Sequence, residues 1–140
     1  MPATTPRPET TESSAPSGAS ASAAPTSLTV IDDPLAARVK LQGRLDTAGV
    51  DAVEARFYAA TASARHAVVD LSGVPLVTSL GMRMLVIAAK RMAAAGRSLI
   101  LLRPQKLVDE SLRAADLYRL IPVADNEAQA QALLEGRATA

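Results

Sequence analysis

From Ser27 onward the apolar positions fall into short alternating and helical periods. Leu28 and Val30 alternate with polar neighbours, and so do Val39 and Leu41 after the turn signal Asp32-Asp33-Pro34, which predicts a hairpin of two strands closed by Gly43. Val50, Val53, Phe57, Ala60 and Ala64 recur at helical spacing and predict a first helix over Thr47 to Ala64. Ala67-Val68-Val69-Asp70-Leu71 and Leu99-Ile100-Leu101-Leu102 are nearly continuous apolar runs, the pattern of central strands covered on both faces. The helix between them, Leu80 to Ala95, stops at Gly96 and completes a βαβ unit, so these two strands are expected to run parallel. Pro104 ends the Leu99 strand. Beyond it, Leu107, Val108, Leu112 and Ala115 predict a third helix, Ile121 and Val123 a last short strand, and Ala128 to Leu134 a closing helix begun by Asp125 or Asn126.

The segment before Ser27 has a different texture. Residues 1–26 hold five of the nine prolines among Ser, Thr and Ala, with only Arg7, Glu9 and Glu12 charged. Such a stretch buries too little apolar surface to offset the entropy of ordering, and it reads as a disordered tail ahead of one domain over residues 27–140. It lacks the basic start and apolar stretch of a secretory signal, and the chain has no run of about 18 apolar residues, so a soluble, cytoplasmic protein without membrane insertion is expected.

Composition narrows the function classes. Fifteen basic and fourteen acidic residues leave a net charge of +1, too little field to steer nucleic acid, and Phe57, Tyr58 and Tyr118 are the only aromatics available for stacking on bases or sugars. The absence of cysteine removes disulfides, thiolate nucleophiles and sulfur-ligated zinc. No cofactor is expected: there is no phosphate-binding glycine loop, and Asp32, Asp33, Asp46 and Asp70 lack metal-ligand spacing.

Open α/β sheets place function at the carboxyl ends of their strands. Two loops stand there, Gly43-Arg44-Leu45-Asp46 and Ser72 through Gly81, and because both follow parallel strands they are expected to share one edge. Ser79 lies where the second helix begins. Its hydroxyl has two readings, a simple N-cap or a phosphoacceptor whose phosphate would sit at the positive end of the helix. A nucleophile elbow fails because Val77, not glycine, lies two residues before Ser79. The single histidine, His66, reads as a solvated turn residue at the opposite end of the sheet. The second helix is apolar around most of its circumference, with Arg83, Lys90, Arg91 and Arg97 as one polar stripe; packing one face does not require both Leu80 and Met82, and Met82 and Arg83 are candidate partner contacts.

Asp70-Leu71-Ser72-Gly73-Val74 followed by Val77-Thr78-Ser79-Leu80-Gly81-Met82 resembles the STAS family of sulfate transporters and anti-sigma-factor antagonists, and the likeness runs from about Ser27 to Leu134. It takes in Gly43-Arg44-Leu45-Asp46, Gly96, and Leu117 through Pro122. The family's phosphoacceptor serine falls on Ser79, whereas Thr78, Leu80 and Arg44 stand where the family usually has Asp, Ser or Thr, and Glu. The resemblance implies an α/β fold: a mostly parallel sheet of four to five strands with an N-terminal hairpin strand and about four helices.

It further implies a non-enzymatic switch. The unmodified chain would bind an anti-sigma factor that is also a serine kinase of the histidine-kinase-like ATPase fold, through Asp46, Thr78, Leu80, Gly81, Met82 and Arg83. Phosphorylation of Ser79 would end that binding and a serine phosphatase would restore it; ATP and magnesium would belong to the kinase. The alternative within the family is a non-phosphorylated accessory subunit of a membrane transporter ATPase. Ser79 favours the switch, and Thr78 and Leu80 weaken that preference.

Overall fold

The structure is a computed structural model that describes residues 25–138, so the stretch before Pro25, including most of the expected tail, lies outside it. Five strands form one sheet in sequence order, β1-β2-β3-β4-β5: β1 Ser27–Asp32, β2 Ala37–Gln42, β3 Ala67–Gly73, β4 Leu99–Leu102 and β5 Val123–Ala124. β1 and β2 make the expected antiparallel hairpin; β2 through β5 are parallel neighbours joined by crossover helices. The helices are α1 Thr47–Ser63, α2 Ser79–Ala94, α3 Lys106–Ala114 and α4 Glu127–Ala138, with a 3-10 turn at Leu117–Arg119 before β5.

Alternation along the strands divides the core in two. Val39, Leu41, Val69, Leu71, Leu99 and Leu101 point to one face, where they pack with Val53 and Phe57 of α1, Met84, Leu85 and Met92 of α2, and Val108 and Leu112 of α3. Val68, Ile100, Leu102 and Ala124 point to the other face, which α4 covers through Ala130 and Leu134. β4 is buried on both faces, which is why its sequence is an unbroken apolar run. α4 covers only the β3–β5 half of its face. On the β1–β2 half, Thr29, Ile31, Lys40 and Gln42 are exposed.

Helix ends are set by identifiable groups. Asp46 caps α1, its carboxylate accepting from Gly49 N–H at 2.9 Å, and Asn126 caps α4, accepting from Gln129 N–H at 2.9 Å. Gly96 takes φ +76° just past α2, where Gly96 N–H bonds Ala93 O and Arg97 N–H returns to Met92 O.

Several expectations need correction. Val30 alternates as a core residue would, but β1 is the sheet edge and Val30 is 39% exposed. Leu107 is 55% exposed and Ala115 lies at the surface, because a two-turn helix turns only Val108 and Leu112, four residues apart, onto the sheet. Ile121 precedes the last strand rather than forming it, and is buried after the 3-10 turn. His66 is buried, not solvated. Its Nδ1 accepts from Ser98 N–H at 3.2 Å and its carbonyl accepts from Ala37 N–H at 2.9 Å, so it ties together the amino ends of β2, β3 and the loop into β4.

Candidate functional site

The two loops expected to share an edge are joined directly. Leu45 and Val77 form an isolated parallel bridge, with Leu45 N–H bonding Leu76 O at 2.9 Å and Thr78 N–H bonding Leu45 O at 3.0 Å. Gly43 N–H to Gly73 O at 2.9 Å continues the ladder beyond a register shift between Lys40 and Gln42. The β3–α2 loop is folded on itself by Ser72 N–H to Asp70 Oδ1 at 2.9 Å and Val74 N–H to Leu71 O at 3.0 Å. From the next loop, Gln105 Nε2 donates to Ser72 O at 2.7 Å. The start of α2 is therefore held from both sides.

The N-cap of α2 is Thr78, not Ser79. Thr78 is extended, with φ −91° and ψ 176°, and its side chain makes no cap bond; the hydroxyl instead donates to Leu45 O at 2.8 Å. Ser79 is the first helical residue, and its side chain is exposed. No acidic residue occupies the first turn of α2. No carboxylate of that turn itself compensates the positive end of the helix beside the exposed Ser79 hydroxyl. A phosphate on Ser79 would meet the helix end and Arg83, one turn along the same face, and no neighbouring carboxylate in that turn.

The remaining candidate residues separate by position. Leu80 is 42% exposed and Arg83 is exposed, so both are offered to solvent beside Ser79. Met82 is half-buried and packs on the core. Gly81 is buried under Leu45: a Cβ there would lie 2.8 Å from Leu45 Cβ and 2.9 Å from Leu45 O, so only glycine lets the helix approach the bridge this closely. Asp46 spends one carboxylate oxygen on the α1 cap and directs the other toward Arg44 Nε at 3.5 Å. Asp46, Thr78 and Gly81 therefore hold the loops together, and Ser79, Leu80 and Arg83 form the presented surface.

That surface continues into a groove of about 460 Å³ between α1 and α2, lined by Val50, Leu80 and Ile87 with Asp51, Glu54, Arg83 and Arg91 around them. Tyr58 forms its floor further along, donating to Glu54 at 3.2 Å and lying under Arg91, whose guanidinium carbon is 4.9 Å from the ring centroid. Burial, then the Glu54 hydrogen bond, pushes the Tyr58 phenol above its ordinary value. Sequence patterning missed Asp51, Glu54, Tyr58 and Arg91, because the groove exists only where two helices distant in sequence lie side by side. The one available signal was Tyr58, an aromatic in a chain with almost none. Among the described residues no cluster of His, Asp, Glu or Cys could hold a metal, and no helix is long and apolar enough to cross a membrane.

The family model for the STAS domain matches residues 27–130. The chain belongs to the STAS domain family. This STAS domain is accordingly a regulatory protein-binding module rather than an enzyme. Its fold is shared with solved structures of low identity. A STAS-domain anti-sigma-factor antagonist from Planctomyces limnophilus superposes with a TM-score of 0.68 at 19% identity, over 79% of this chain and 97% of that one. An anti-sigma factor antagonist from Mycobacterium paratuberculosis gives 0.69 at 20% identity, over 79% and 94%. The phosphorylated form of the Bacillus cell fate determinant SpoIIAA gives 0.57 at 18% identity, over 76% and 99%. No curated protein matches the chain.

Proposed function

We propose that this STAS domain is an anti-sigma-factor antagonist that docks its partner through the start of α2 and is switched off by phosphorylation of Ser79. The observation that carries the reading is the placement of Ser79: an exposed hydroxyl on the first residue of α2, beside exposed Leu80 and Arg83, on a loop pair tied together by the Leu45–Val77 bridge and the Thr78 hydroxyl. A phosphate there adds about −1.5 to −2 charges at one point of the surface and leaves the core untouched. The fold then persists while a partner seated on Leu80 and Arg83 meets a charge that must be desolvated.

The partner is an anti-sigma factor with serine kinase activity, of the histidine-kinase-like ATPase fold, which supplies the nucleotide and magnesium. A serine phosphatase reverses the modification, and the exchange takes place in the cytoplasm. Family membership supports this reading, as do the anti-sigma-factor antagonists that share the fold, one of them described in a phosphorylated form.

The test is affinity capture from native lysate with the full chain as wild type, Ser79→Ala and Ser79→Glu, with bound proteins identified by mass spectrometry and affinities then measured on the purified partner. Wild type and Ser79→Ala retain a serine kinase or anti-sigma factor, and Ser79→Glu loses at least tenfold in affinity, about 1.4 kcal/mol. Incubation with the kinase and ATP places phosphate on Ser79 in the wild type. A folded Ser79→Glu variant with undiminished affinity sinks the switch, and a transporter ATPase held equally by all variants makes the chain a constitutive subunit.

A further inference from the structure

The sheet has two edges. β5 is two residues long and packed against α4, whereas β1 runs six residues, Ser27–Asp32, and among the described residues pairs only with β2. Protein sheets usually blunt such an edge with lysine, proline, a bulge or an inward-pointing charge. β1 reads Ser-Leu-Thr-Val-Ile-Asp, has no such device before its final residue, and exposes Val30 and, at 62%, Ile31.

The direction of its free backbone groups follows from the hairpin turn. Asp33 N–H bonds Ala36 O at 3.0 Å, which makes Asp33 and Ala36 a hydrogen-bonded pair. Antiparallel ladders alternate such pairs with non-bonded ones, so along the register Ile31 with Arg38 and Thr29 with Lys40 turn their N–H and C=O groups toward β2. Leu28, Val30 and Asp32 must then turn theirs outward, away from the sheet.

We propose that β1 is the pairing site for a second copy of this chain, joined antiparallel about a two-fold axis at Val30 so that one sheet runs through both copies. In that register every outward group of Leu28, Val30 and Asp32 finds a partner. On the helix face Val30 meets its own copy, and on the open face Thr29 meets exposed Ile31 across the axis. The two Asp32 carboxylates lie at opposite ends of the strand pair. Moving the axis to Asp32 would set those carboxylates face to face, moving it to Thr29 or Leu28 would leave Asp32 of each copy without a strand residue opposite, and moving it to Ile31 would leave Leu28 without one, so the charge and hydrogen-bond patterns select Val30. β2 of one copy runs opposite to β2 of the other, which sends the two Ser79 edges to opposite ends of the dimer. Both stay open.

A six-residue strand pair buries less than a standard interface of about 1,600 Å², so association is expected in the micromolar range. The test is sedimentation equilibrium on the full chain at concentrations up to about 1 mM. The wild-type mass rises from 14.5 kDa toward twice that value. Val30→Lys and Val30→Glu each stay monomeric, since each sets like charges directly opposite one another, and mixing them restores a dimer. Val30→Pro removes an N–H that β2 does not use; it keeps the wild-type circular dichroism and is monomeric. If Val30→Pro fails to fold, the charge pair decides. A wild type that is monomeric throughout overturns the proposal, as does a dimer that Val30→Lys leaves intact or a mixture that does not reassociate.

Discussion

The Thr78 hydroxyl donates to the Leu45 carbonyl at 2.8 Å across 33 residues of sequence, and the Thr78 N–H donates to the same oxygen at 3.0 Å. One residue therefore fastens the start of α2 to the loop after β2. It gives up helix capping to do so, and leaves the next residue, Ser79, to carry the exposed hydroxyl.

Thr78→Val keeps the shape and the N–H bond but removes the hydroxyl bond. A net protein hydrogen bond contributes about 1 kcal/mol, and the carbonyl retains one donor, so a loss of about that size is expected. Urea denaturation checks it as a lower midpoint with an unchanged slope.

Gly81→Ala sets two effects against each other. Alanine favours a helix over glycine by about 1 kcal/mol, but the added Cβ would meet Leu45 at 2.8 Å to Cβ and 2.9 Å to the carbonyl oxygen. Overpacking against backbone costs about 1–3 kcal/mol, so the net effect is destabilising. A higher melting temperature for Gly81→Ala would show that α2 shifts without cost.

Ser79→Glu is expected to hold or slightly raise stability, by about 0.3–1 kcal/mol, because a carboxylate at the first residue of α2 faces the positive end of the helix. Ser79→Lys at the same place lowers the melting temperature. If both charges act alike, the helix end is not the electrostatic feature that makes room for a phosphate.

Asp109 accepts from Tyr118 Oη at 2.7 Å and from Arg113 Nε at 2.9 Å, and these bonds hold its carboxyl below its ordinary value against the smaller opposing effect of burial. Burial and the same bond push the Tyr118 phenol up. A carboxyl depressed in the folded state contributes stability above its unfolded pKa and loses it as pH falls through the folded value. Asp109→Asn is therefore less stable than wild type near neutral pH, and the gap narrows below about pH 4, measured as urea midpoints across that range.

Leu80→Ala and Arg83→Ala remove side chains that solvent already reaches, so stability changes stay within about 0.5 kcal/mol. Partner affinity falls in both. Unchanged affinity in both, measured by calorimetry on the purified partner, would move the docking surface away from α2.

The sequence by itself determined the order of strands and helices, because each element is written in local periodicity and local stop signals. Leu99 through Leu102, bounded by Gly96 and Pro104, admits one reading as a doubly covered strand, and the structure buries all four residues. Ser79 at the head of a helix was legible in the same way, within one residue.

Only the tertiary structure decided which hydroxyl was committed and which was free. Thr78 looks no less available than Ser79 until Leu45 is brought against it. The same limit applies to His66, which is buried and bonded to Ser98 and Ala37; to Val30, whose apolar side chain is left exposed because among the described residues no strand lies beyond β1; and to the groove where Tyr58 meets Arg91. Periodicity reports the face a side chain takes relative to its own backbone. Whether anything stands opposite that face is set by contacts between residues far apart in the chain, and those contacts separate the braced part of the α2 loop from the part it presents.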